Sequence, residues 1–103
     1  MSDSENGIIT KINLGLEHGI LTTKFYLKFD SYIQQYGGFR IDCCYPLGDK
    51  ILELFEVLEV AEWSKIKDCP VRVKHCQEYG GKVVYAIGHI YKDKWFSWSL
   101  NED

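Results

Sequence analysis

The chain has 103 residues, one small domain's length, with 46% hydrophobic, 26% charged and 15% aromatic side chains and two prolines. Such a composition excludes disordered, collagen-like and low-complexity classes. A net charge of −3 argues against a general binder of long nucleic acid, whose affinity rests on phosphate neutralisation, and the short apolar runs predict neither a membrane span nor a signal-peptide core.

The whole chain, 1–103, is expected to form one domain, with 1–7 and 101–103 frayed. Ile8 to Leu16 alternates as a strand, with Ile12, Leu14 and Leu16 on one face. Glu17-His18-Gly19 reads as a tight turn. Ile20 to Phe29 alternates most cleanly: Leu21, Phe25, Leu27 and Phe29 on one side, Thr22, Lys24, Tyr26 and Lys28 on the other. Period-two alternation marks half-buried strands, so these two segments predict an antiparallel hairpin. Tyr32 to Cys44 is a third extended segment, broken at Gly37-Gly38. A glycine pair there predicts a bulge or a close approach by a ligand or another backbone.

After the break at Tyr45-Pro46-Leu47-Gly48, Asp49 is the expected N-cap of a helix running to about Val60. Ile51, Leu52, Leu54, Phe55 and Leu58 mark its apolar face. Glu53, Glu56, Glu59 and Glu62 form an acidic stripe read as a solvated face, or as a surface with which an inhibitor could block a basic channel. Pro70 to Gln77 and Lys82 to Tyr91 are two further strands joined at Tyr79-Gly80-Gly81, and Trp95 to Leu100 can close as a short edge strand. The prediction is an α+β fold: a mainly antiparallel five- to six-stranded sheet, β-β-β-α-β-β-(β), with one principal helix on one face. One helix covers only part of such a sheet, and Tyr26, Tyr85 and Tyr91 are candidates for the uncovered face, so self-association is expected.

Chemistry is sparse. No phosphate-cradling glycine motif and no nucleophile elbow is present. Cys69, His75 and Cys76 with Cys43 or Cys44 lack the tight ligand pairs of a zinc site. Cys76 and His75 are strand neighbours that face opposite sides, and Asp30 and Asp42 read as strand-end residues. No metal, no cofactor and no catalysis are expected. Charge is uneven, with 7 basic against 3 acidic residues between Lys65 and Lys94. Lys92-Asp93-Lys94-Trp95-Phe96 mixes cations, which hold phosphates, with rings, which stack on bases. The candidate site for an anionic, nucleotide-like ligand is therefore Gly37, Gly38, Arg40, His89, Lys92, Lys94 and Trp95.

Three stretches, Leu14-Gly15-Leu16-Glu17-His18-Gly19-Ile20-Leu21-Thr22, Tyr36-Gly37-Gly38-Phe39-Arg40-Ile41-Asp42 and Ile87-Gly88-His89-Ile90-Tyr91-Lys92-Asp93-Lys94-Trp95-Phe96, resemble together a family of small proteins encoded by bacteriophages and prophages. With the segment Val57 to Val73 between them, the resemblance covers most of the chain after residue 7. It implies a setting and no activity: an accessory protein in the host cytoplasm that disables a defence system by binding. The expected ligand is a nucleotide-like immune signal. The alternative is an anti-CRISPR-like inhibitor that binds a host defence protein directly, and a small enzyme comes third.

Overall fold

The computed structural model describes residues 4–78 and 81–100, Phe39 by its backbone only. The elements are β1 (Ser4–Glu17), β2 (Ile20–Lys28), β3 (Ile33–Arg40), α1 (Leu47–Leu58), β4 (Pro70–Glu78), β5 (Gly81–Gly88) and β6 (Trp95–Phe96). They form one antiparallel six-stranded sheet, ordered β3-β2-β1-β4-β5-β6, with one main helix. The α+β arrangement is the one the alternation pattern predicts.

The β1–β2 hairpin turns at His18 and Gly19, both with positive φ. A register shift at Thr10 changes which residues of β1 face the core. Ile9 is inward before it, and Ile12 packs against the core after it. Expected fraying of 1–7 is corrected for Ser4 to Gly7, which pair with Lys74 to Val71 of β4. Their polar sequence hides a strand whose cause is a distant partner. Residues 1–3, 79–80 and 101–103, with most of the expected Tyr79-Gly80-Gly81 turn, lie outside the described residues.

Phe25, Leu27, Phe29, Val71, Val73, Ile87, Phe96 and Trp98 make the sheet side of the core, and Leu54, Val57 and Leu58 make the helix side. The helix begins earlier than predicted. Pro46 occupies the N-cap without a side-chain bond, and Asp49 lies in the first turn, where its carboxylate favours the positive helix end. Of the expected apolar face, Leu52 is exposed. Lys50 is buried instead. Its ammonium donates to the carbonyls of Ser97 (2.8 Å) and Ser99 (3.2 Å) and pairs with Glu53.

The sheet curls around this core until β3 meets β5. The Tyr36 hydroxyl donates to Tyr85 O (3.1 Å) and accepts from Trp98 N–H (2.9 Å), and Gln34 donates to Lys82 O (2.9 Å). Burial raises the Tyr36 pKa. Among the described residues, no helix is long and apolar enough to cross a membrane.

Candidate functional site

The seven candidate residues fall into two groups. Gly37, Gly38 and Arg40 belong to β3, an edge strand. His89, Lys92 and Lys94 belong to the turn after β5, and Trp95 opens β6.

Gly37 and Gly38 have φ of 112° and 86° and sit where the β2–β3 register shifts. A Cβ on Gly37 would stand 2.6 Å from Thr23 O, and one on Gly38 would stand 2.9 Å from Gln35 Nε2. Left-handed backbone at a bulge already requires glycine, so the pair is explained without a ligand. Arg40 follows, exposed, at the end of the strand.

In the second group the cations have a partner within the chain. Glu59, just past the helix end, accepts from Lys92 (2.6 Å) and Lys94 (2.7 Å) and lies 3.6 Å from His89 Nε2. Lys94 also donates to Glu56 O (2.9 Å). These ammonium groups, Lys92 first, pull the Glu59 carboxyl down to about 2. His89 Nδ1 accepts from the backbone N–H of Tyr91 (3.0 Å) and Lys92 (3.1 Å), so Nε2 carries the proton and faces Glu59. Glu59 therefore leaves the predicted solvated stripe and becomes the counter-ion of the predicted anion site. The reason is register: the helix end lies beside the β5–β6 turn, and sequence spacing does not contain that approach.

Trp95 is placed differently. A Cβ on Gly88 would lie 2.6 Å from its ring, so the indole rests directly on the Gly88 backbone. Its Nε1–H donates to Asp93 (3.0 Å). Two cations from β4 lie over the ring, Lys74 Nζ at 4.0 Å and Arg72 Cζ at 4.7 Å from its centre. Arg72 is fixed by bonds to the carbonyls of His89 (2.9 Å) and Lys92 (2.7 Å). Val71 and Val73 are buried, so Arg72 and Lys74 project from the outer face of the sheet. Next to them, across the Asn6–Arg72 pairing, an open depression of about 430 Å³ is lined by residues including Asn6, Ile8, Lys28, Asp30, Pro70 and Ile90.

Sequence reasoning missed Arg72, Lys74 and Lys28. Alternation with Val71 and Val73 puts the first two on an outward face; their meeting with Trp95 depends on the pairings Arg72–Gly88 and Gly88–Trp95. Cys43 and Cys44 are exposed, Cys69 and Cys76 half-buried, and all four are free thiols. Burial raises the Cys69 pKa, the opposite of an activated nucleophile. His75 contacts Gln34 (2.9 Å) and lies 3.9 Å from Glu5. Asp42 accepts from Cys44 N–H (3.0 Å), as a turn residue does. Among the described residues, no group of three or more His, Cys, Asp or Glu side chains is disposed to hold a metal ion. Comparison with protein-family models, with curated proteins and with solved structures gives no match.

Proposed function

We propose that this protein acts by stoichiometric binding without catalysis, and that it sequesters an anionic, base-bearing ligand on the outer face of the sheet. The observation that carries this reading is Trp95 packed against Gly88 with Lys74 and Arg72 over its ring. The two cations over the ring take the phosphate, and a base stacks on the indole as Lys74 swings off the ring toward that phosphate. The neighbouring depression, with Lys28 and Asp30 both on its rim, is of ligand-pocket size, and the positive charge for the phosphate comes from Lys74 and Arg72 beside it. His89, Lys92 and Lys94 are then supports, since Glu59 satisfies them. The bacteriophage resemblance gives this binding a setting, removal of a nucleotide-like signal of host defence.

The test is a thermal-shift panel of mono-, di- and cyclic nucleotides on the wild-type chain and on Lys74→Glu. A ligand at 100 times its Kd adds about 2.7 kcal/mol of stability. The expected result is a shift for at least one nucleotide that Lys74→Glu abolishes. A shift unaffected by Lys74→Glu rejects this face. If no nucleotide shifts the wild-type protein, while a host defence protein binds it and not Lys74→Glu, the ligand is a protein and the inhibitor reading replaces sequestration.

A further inference from the structure

We propose that the far half of β1 is a pairing edge for a second copy of this chain. The inference does not depend on the nucleotide reading. Ile41 N–H donates to Leu21 O (2.8 Å), so Leu21 turns its backbone polar groups toward β3. Alternation along β2 turns those of Ile20, Thr22 and Lys24 toward β1, where they pair with Glu17, Gly15 and Asn13. Ile12, Leu14 and Leu16 must therefore direct their N–H and C=O groups away from β2. On that side β4 pairs with β1 only from Ser4 to Ile8. The last backbone bonds there belong to Ile9, which donates to Cys69 O (2.9 Å) and accepts from Asp68 N–H (2.6 Å). Among the described residues, no strand pairs with this edge from Thr10 to Glu17.

An open edge of this length is normally blunted or covered. Here it carries apolar side chains, Leu14 at 43% and Leu16 at 74% exposure. It is also its own complement. Consider an antiparallel two-fold pairing centred on Leu14. Leu14 meets the partner copy's Leu14, and Ile12 meets its Leu16. All three outward-facing residues then exchange both backbone bonds. Ile12, Leu14 and Leu16 share one face, so the two copies join these side chains into a single apolar strip. On the opposite face Lys11, which lies over the Tyr26 ring, falls across from Glu17 at both ends of the pairing, so that Glu17, already paired with Lys24 of its own hairpin, gains a second cation. Asn13 falls across from Gly15, where an added Cβ would have no atom within 4 Å. Moving the centre by one residue either way still sets outward residues opposite one another, but it separates the charges and places Leu16 against Thr10 or Ile12 against His18 of the turn. Hydrogen bonding, apolar burial and charge thus select one register and one occupant.

Sedimentation equilibrium from micromolar to millimolar concentration tests this. The wild-type chain should reach twice its 12.0 kDa mass. Lys11→Glu and Glu17→Lys each place like charges opposite one another at both ends and should weaken dimerisation at least about tenfold; Glu17→Lys also breaks the pair with Lys24 inside the hairpin, so Lys11→Glu is the deciding single variant. An equimolar mixture of the two variants restores both charge pairs and should dimerise as the wild type does. In the wild-type protein, amide exchange at Ile12, Leu14 and Leu16 should slow as concentration rises. The proposal is overturned by a wild-type chain that stays at one-chain mass, by single variants that dimerise like the wild type, or by exchange at these amides that ignores concentration.

Discussion

The two ends of the sheet contrast in how fully their polar groups are used. At the end where α1, the β5–β6 turn and the C-terminal segment meet, Lys50, Tyr36, Glu59, Lys92, Lys94 and His89 all find partners within the chain. At the other end the β1–β2 hairpin runs past β4 with one edge unpaired among the described residues and with Leu14 and Leu16 exposed. A cation cluster and a glycine pair look like binding features in a sequence. In the folded chain the cluster is held by Glu59 and the pair serves a bulge, and the free surface lies on the outer face and the hairpin edge.

The largest test of this contrast compares Phe25→Ala with Leu16→Ala. Phe25 is wholly buried beside Tyr36 and Trp98, so truncation should cost about 3–5 kcal/mol. Leu16, at 74% exposure, should cost within about 0.5 kcal/mol in the monomer at low concentration. Denaturant midpoints for both variants measure the difference, and equal losses would abolish the distinction between the ends.

The glycine pair comes next. Gly37→Ala forces a Cβ to 2.6 Å from a backbone carbonyl at a φ of 112°, and strain of this kind costs about 1–3 kcal/mol. Gly38→Ala meets only the flexible end of Gln35 and should cost less. Nucleotide binding, read by the thermal-shift panel, should survive in both. Loss of binding in a folded Gly38→Ala protein would return the site to β3.

The smallest effect is electrostatic. Glu59 has its pKa lowered from 4.5 to about 2 by Lys92 and Lys94. Its contribution to stability is complete above about pH 4.5 and is lost as pH falls through about 2. Glu59→Gln should therefore be less stable than wild type near neutral pH, with the gap closing toward pH 2. Melting temperatures of both proteins across this range check the sign, and a gap that widens in acid would show that the cluster is not held by this carboxylate.

The fold was largely readable because period-two alternation from Ile20 to Phe29 and helical spacing from Ile51 to Leu58 report burial directly. The start of β1 was not readable, since Ser4, Glu5 and Asn6 become a strand only by pairing with Arg72 to Lys74. The proposed site is legible in the sequence only in part. Trp95 and a nearby excess of cations were visible in order along the chain. Which cations reach the ring, and which are already paired, depends on strand register and on where α1 ends. Lys50 shows the same limit: the Ser97 and Ser99 carbonyls that bury it are contributed by the far end of the chain.

The Tyr36 hydroxyl, which joins β3 to Tyr85 and Trp98, also bears on how fast the fold comes apart. Its partners lie 49 and 62 positions further along the chain, so this closure requires the long loop between them to be ordered first. Removal of the oxygen alone, in Tyr36→Phe, should leave the refolding rate nearly unchanged and accelerate unfolding, as expected for a contact made after the rate-limiting barrier. The lifetime of the curled sheet, and with it the resistance of the chain to proteolysis, would then depend on one phenol.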